Sequence, residues 1–479
     1  EEYVLLSLLE VLLSVRAANE PMRSAFQRAR DSGALDDVPG LVYARTDSRG
    51  RIGELVDTGV QRLLGDLDEL PHPGLGYALL EPPGNLATLG PTALPSESVR
   101  KHSPVGSLVL TLGCRFHCAY CPIPAYNQRQ LRAKSGERIA EEIERLFNEY
   151  HIRLYFGADD NFFADPERAL GIAEVLARKV AAGSRPHSKI RLGTEATIHD
   201  TLKMKDHLAL VRKAGVWAIW LGVEDMSGAL VKKGQNAART IQAFRLLRQH
   251  GIFPIPMLMH HDEQPLLTWK SPDGLLNQLG RLRKAGALYM QVLMLTPSPG
   301  SKSYEEAYTS GLAYKAVDGR IVGPELTSGM HVIASRHRRP WIKQLHLLAA
   351  YLYFFNPLRF LAALASSKSW GPIENSGLRP GTGDSEKRSF RKRFSRRLSH
   401  VLQAHLGDAA LQVAGMIGLL PTLRRTLGWA FHLLHGRIER CQEPPHSAIP
   451  MRSPDGSPAS HDLPDTASAT VLTEAADCE

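Results

Sequence analysis

Val211-Arg212-Lys213-Ala214-Gly215-Val216, with the apolar run that continues it to Gly222, decides the fold, because the same phrase returns twice. Leu247-Arg-Gln-His-Gly251-Ile and Leu282-Arg-Lys-Ala-Gly286-Ala repeat it, each leading into another apolar stretch. Basic residues in the last turn of a helix complement its dipole. A glycine then supplies the left-handed cap, and the apolar run that follows reads as a strand. The glycines are spaced by one strand–helix unit, so the repeat is architectural. Working outward gives six strands, near 107–112, 152–156, 190–194, 216–222, 252–259 and 288–295. Helices near 136–149, 166–182, 201–214, 237–250 and 273–285 alternate with them, and Ser135 is placed to cap the first. That alternation predicts a parallel sheet with right-handed crossovers. The expected fold class is α/β, a partial (β/α)6 TIM-like barrel over 101–305. A linker region over 1–100 precedes it, and a helical C-terminal extension over 306–436 follows.

In such barrels function gathers where strands end, and these ends are polar. A cysteine loop follows the first strand, and Asp159-Asp160-Asn161 the second. Glu195, Glu224-Asp225, His260-His261-Asp262 and Thr296-Pro-Ser-Pro-Gly300 follow the others. Adjacent residues on a strand face opposite ways, so at most one of His260 and His261 faces the cavity. A structural role is the default for that pair.

The cysteine loop reads Leu110-Thr-Leu-Gly-Cys114-Arg-Phe-His-Cys118-Ala-Tyr-Cys121-Pro, in a chain with five cysteines. Structural zinc ordinarily takes four ligands, often from two C-x2-C knuckles, and here one knuckle has no second. A ferredoxin-type cluster would need a fourth cysteine nearby, and a disulfide would leave an odd thiol. Three thiolates on one loop can hold three corners of a [4Fe-4S] cube and leave one iron open. The C-x3-C-x2-C spacing, with Tyr120 before its last cysteine, resembles the signature of the radical S-adenosylmethionine (SAM) superfamily. That resemblance implies the same partial barrel, a cluster on Cys114, Cys118 and Cys121, and SAM chelated at the open iron. It places Tyr120 near the adenine and Gly157-Ala-Asp159-Asp160 where the family has a Gly-Gly-Glu motif for the SAM amine. The departure from that motif leaves Asp159 and Asp160 as alternatives, with Glu195 and Glu224 as further ribose or amine contacts.

Phe156-Gly-Ala-Asp-Asp-Asn-Phe-Phe163, Leu221-Gly-Val-Glu-Asp225 and Leu295-Thr-Pro-Ser-Pro-Gly300 resemble cobalamin-associated radical SAM enzymes. Within that class the runs 121–129, 132–138, 192–197, 220–226 and 294–302 are similar to hopanoid C-3 methyltransferases. The resemblance implies a radical SAM methyltransferase that methylates C-3 of a hopanoid lipid with methylcobalamin. It also implies a reductant such as flavodoxin or ferredoxin. The chain starts at Glu1 inside an apolar helix (2–15) and contains no Asp-x-His. The expectation is therefore a cobalamin domain upstream of the sequence given. Two other readings stay open: a cyclisation or rearrangement on a hydrophobic substrate, or an iron–sulfur protein serving electron transfer alone.

Few cysteines fit a reducing cytoplasm. The net charge of +9 is concentrated in 387–397, outside the catalytic region, and does not point to nucleic acid. Apolar helices near 341–355 and 409–434, the second broken at Pro421, flank that basic run. The combination suits peripheral contact at the inner face of a membrane, and equally a helical cap packed on the barrel with its basic residues in water; a lipid substrate favours the membrane reading. From about 437 the composition predicts a disordered tail.

Overall fold

The computed structural model describes residues 2–46, 52–81, 93–228, 230, 236–355, 358, 386–442 and 451–452, with backbone alone over 386–410. The chain divides into two compact units, residues 66–307 with 312–440, and residues 1–65 with 308–311 and 441–479.

The larger unit is built on six strands: β1 (Val105–Leu108), β2 (Leu154–Gly157), β3 (Arg191–Thr197), β4 (Val216–Glu224), β5 (Phe253–His260) and β6 (Gln291–Met294). They form one parallel sheet in sequence order, the partial (β/α)6 barrel expected. The helices between them are α1 (Gly136–Tyr150), α2 (Pro166–Ala181), α3 (Ile198–Lys203), α4 (Leu208–Lys213), α5 (Ala237–Gln249) and α6 (Leu275–Lys284). Side chains cap the N-termini of α1, α2, α3 and α5, with Ser135 on α1 as the sequence suggests. The Ser135 hydroxyl accepts from the Arg138 N–H at 3.0 Å, and Asn236 does the same for α5. The repeated glycines are left-handed, with φ of 102° at Gly215, 72° at Gly251 and 116° at Gly286. At Gly286 a Cβ would also lie 2.6 Å from the Arg248 side chain.

The helices cover one face of the sheet. Tyr155 of β2 donates to the Ile143 carbonyl of α1, and His260 of β5 meets His346 of a later helix, α7 (Pro340–Phe354). Residues paired across a parallel ladder share a face. Glu195 pairs with Trp220, and Trp220 with Ile255. One pleat on, Met257 pairs with Gly222 and Gln291, and Met259 with Leu293. Along this other face Phe156, Glu195, Trp220, Met257, Met259, Gln291 and Leu293 are half-buried, whereas Leu192, Leu258 and Val292 on the helix-covered face are fully buried. The open face is therefore apolar at its centre and acidic at its rim.

After the barrel come a small antiparallel sheet (Tyr314–Val317, Arg320–Ile321 and Ile438–Arg440), α7, and a long helix α8 (Glu386–His435). Helix α8 joins the basic run and the second apolar segment into one element and passes through Pro421 without a break. Pro421 is exposed, so water can satisfy the carbonyl that its missing N–H leaves free.

In the smaller unit, helices Glu2–Val15 and Met22–Asp31 accompany an antiparallel hairpin, Val42–Thr46 with Ile52–Asp57. Leu12, Ala29, Leu35, Tyr43 and Val56 form its own small core, so this part of the expected linker is folded. Met451–Arg452 adds a parallel strand to that hairpin. Together with Ile438–Arg440, it gives structure within the stretch read as a tail. Backbone pairing to an existing strand orders these few residues without help from their polar composition. The rest of that stretch, 443–450 and 453–479, lies outside the described residues.

Candidate active site

The loop that carries the cysteines leaves β1 through a short strand, Thr111–Leu112, paired with Arg132–Ala133. Gly113 then turns it at φ 100°. A Cβ there would lie 2.1 Å from the Gln130 carbonyl oxygen, so the residue before Cys114 must be glycine. Cys114, Cys118 and Cys121 form no disulfide and are partly accessible.

Three consecutive residues after β2 clasp this loop. Asp159 accepts from the backbone N–H groups of Leu110 (2.9 Å) and Thr111 (2.8 Å), and from the Thr194 hydroxyl. Asp160 accepts from the Gly113 N–H at 2.7 Å, the Asn127 amide at 2.6 Å and the Tyr126 hydroxyl. Asn161 donates to Asp200 at 2.7 Å, with its amide nitrogen 4.0 Å from the Cys114 sulfur. Arg115, inside the cysteine loop, reaches Asp200 from the other side at 3.4 Å. Both carboxylates of the Gly-Ala-Asp-Asp run are thus occupied in holding the loop. Burial pushes the Asp159 carboxyl up to about 6, against the hydrogen bonds that favour its charge.

Tyr120 and Tyr126 feel the charge of the thiols. Burial raises the Tyr120 hydroxyl pKa, and Glu224, Cys118 and Cys121 raise it further. Burial and Asp160 raise that of Tyr126, with smaller contributions from Cys121 and Cys114. Among the described residues no three His, Cys, Asp or Glu side chains converge on a single metal ion. A cube asks for something different, since each thiolate binds a different iron and the sulfurs stand farther apart than in one ion's shell. Three soft, unbridged thiols around one loop fit that group.

Glu195 and Glu224 complete the rim. The Glu195 carboxyl is pushed up to about 7, first by burial and then by Asp159, Asp160 and Glu224. Glu224 ends β4 with a left-handed φ of 57°. An acidic, partly dehydrated rim suits a cationic ligand. The histidines after β5 behave as the strand rule requires. His260 binds Gln264 (2.7 Å) and His346 (3.1 Å) on the helix side, and burial depresses its pKa to about 3. His261 faces Glu263 at 3.0 Å and Asp225 at 3.9 Å. Tyr126, Asn127, Thr194 and Asp200 escaped sequence reasoning, because their partners lie 33 to 39 positions away and meet them only as the fold brings them together. The apolar open face escaped it too, although alternation along 253–260 carried the signal.

A profile of the radical SAM superfamily matches residues 108–307. The chain is 34% identical over 154 residues to the hopanoid C-2 methylase of Rhodopseudomonas palustris, a match covering 31% of this chain and 28% of that protein. It is 27% identical over 159 residues to the anaerobic magnesium-protoporphyrin IX monomethyl ester cyclase of Cereibacter sphaeroides, covering 32% and 25%. Against the hopanoid C-3 methylase of Methylococcus capsulatus it is 27% identical over 232 residues, covering 46% and 42%. The matches span less than half the length of each relative. The cysteine loop, its acidic clasp and strands β2 to β6 lie together inside residues 108–307, the region that matches the radical SAM superfamily.

Proposed function

We propose that this chain is the catalytic part of a radical SAM methyltransferase acting on an apolar polycyclic lipid, with C-3 of a hopanoid as the specific target. The observation that carries the substrate class is the open sheet face, where Phe156, Trp220, Met257, Met259 and Leu293 are half-exposed beside Glu195. Phe156 and Trp220 meet edge to face, with ring centroids 5.0 Å apart and planes at 84°, a rigid wall for a fused-ring substrate. The two methionines give the rest of that wall adaptable apolar contact.

In this reading Cys114, Cys118 and Cys121 hold the cluster, Tyr120 and the Gly157–Ala158 backbone border the SAM site, and Glu195 and Glu224 face its positive groups. Bound together, the cluster, SAM and a methylcobalamin supply hydrogen-atom abstraction and a methyl donor. The chain's own part is to seat the ring against Trp220 and to keep water from the reacting carbon. A small reductant protein of the flavodoxin or ferredoxin kind supplies the electron.

Deleting the gene from a 3-methylhopanoid producer with a single copy should remove that lipid, read by mass spectrometry, and leave the parent hopanoid. Unchanged 3-methylhopanoid would sink the assignment. The similarity to a cyclase favours one other reading, ring closure without methyl transfer. SAM bearing a deuterated methyl group separates the two, since only methyl transfer labels the product.

Glu195 gives a pH signature. Its pKa is raised from an ordinary 4.5 to about 7. Its stabilising contribution is therefore full below 4.5 and is lost as pH rises through 7. Thermal melts of the Glu195→Gln protein should be flatter across that window than those of the parent. If the carboxylate faces a SAM cation, SAM affinity of the cluster-loaded parent rises about tenfold from pH 6 to pH 8. The variant should bind weakly at both. Equal pH dependence in the two proteins would remove Glu195 from the SAM site.

A further inference from the structure

Helix α8 packs through Gln412, Thr426, Trp429, Ala430 and Leu433, all buried. Its opposite side carries a different set. Val413, Ile417, Leu420, Leu427, Phe431 and Leu434 are exposed, Leu420 at 71% and Ile417 at 67%. Their spacing of four, three, seven, four and three residues keeps them in one stripe along the helix. Arg424 occupies the vacant position at the middle of the stripe, is exposed, and has Arg425 beside it. No Asp or Glu occurs from Ala409 to Ile438. N-terminal to this, the same helix runs through Lys387, Arg388, Arg391, Lys392, Arg393, Arg396 and Arg397.

Exposed apolar side chains in a continuous stripe mark a docking surface rather than ordinary surface scatter. A second copy of the chain is a poor occupant. Its stripe would set Arg424 against Arg424 in an apolar seam, and one strongly cationic helix along another. An anionic bilayer surface satisfies both features at once. The apolar chains enter the acyl boundary, and Arg424 extends its stem to reach lipid phosphate. The basic N-terminal half adds attraction to the headgroups. The helix is not long and apolar enough to cross a membrane, a statement that holds for every helix among the described residues.

We infer that the outer stripe of α8, from Val413 to Leu434 and centred on Arg424, is a membrane-docking face that seats this protein on an anionic lipid surface. The inference deepens the lipid-substrate reading by bringing the barrel to the bilayer where such a substrate resides. It is tested without substrate, so the two can fail separately.

The test is co-sedimentation of the full chain with phosphatidylcholine vesicles containing phosphatidylglycerol, beside vesicles of phosphatidylcholine alone. The parent should bind the anionic vesicles and release in high salt. Ile417→Ser with Leu420→Ser should weaken binding by about tenfold or more. Arg424→Glu should abolish the preference for anionic lipid. All three substitutions are at exposed positions, and an unchanged circular dichroism spectrum with retained iron binding establishes that the variants fold. Absence of vesicle binding by the parent, or binding that the variants leave intact, overturns the proposal. So does a parent dimer in sedimentation equilibrium that the Ile417/Leu420 variant dissociates, which gives the stripe to a second copy.

Discussion

Cys118→Ala should abolish formation of 5′-deoxyadenosine, by about a thousandfold or more, in anaerobically reconstituted protein supplied with SAM and a strong reductant. Cys114→Ala and Cys121→Ala should do the same. The reason lies in ligand count. With three protein thiolates, the cube is held while its fourth iron stays open, and with two there is no comparable anchor. Reconstituted parent should carry about four iron atoms and four sulfides per chain, falling below about one in each variant. Cys441→Ala supplies the control. Cys441 forms no disulfide and lies in the smaller unit, so iron content and product should be unchanged. A Cys118→Ala protein that still makes 5′-deoxyadenosine would refute the cluster assignment, and zinc in place of iron in the anaerobic parent would restore the structural-metal reading.

The barrel was legible because each of its units carries its own local punctuation. Basic last turns followed by Gly215, Gly251 and Gly286 announced helix ends, and the six strands fall where the apolar runs begin. The cysteines were legible for the same local reason. The acidic clasp was not, because a carboxylate's partner is chosen by the fold. Asp159 and Asp160 read as ligand contacts, and nothing in the sequence shows that their oxygens also accept from Leu110, Thr111, Gly113 and Asn127. Helix α8 shows the converse failure. Proline at 421 and a change from basic to apolar composition suggest two segments, yet exposure of that turn lets one helix continue. Sequence periodicity still held the information about its outer stripe, since spacing alone groups Val413, Ile417, Leu420, Leu427, Phe431 and Leu434. What it lacked was which side of the helix α7 and the small sheet would cover.

Asp160→Ala should loosen the cluster site without touching any of the three cysteines. Three donors converge on this carboxylate: the Gly113 N–H, the Asn127 amide and the Tyr126 hydroxyl. Hydrogen bonds to a charged group contribute roughly 1.5–3 kcal/mol each, and leaving a partly buried donor unpaired adds its desolvation cost. Some of that loss is recovered by water, so a net destabilisation of about 3 kcal/mol is expected. In a unit of this size that lowers Tm by about 4 °C. The loop consequence is larger than the global one. Gly113 sits at a left-handed φ against the Gln130 carbonyl, and the bond to Asp160 holds that turn in place immediately before Cys114. Without it, the first thiolate is no longer fixed relative to the other two, and a chelator should strip iron from the variant about tenfold faster or more. Asp160→Asn separates charge from shape. Its amide keeps one acceptor oxygen but sets an N–H against one of the three donors, so its iron loss should fall between parent and alanine variant. Asp200→Asn supplies the contrast, because Asp200 reaches the loop only through Arg115 and Asn161 and should loosen Cys114 less. Iron release followed by absorbance in all three variants orders them as alanine at 160, asparagine at 160, then asparagine at 200. Equal release rates in parent and Asp160→Ala would show that the cysteines position themselves without the clasp.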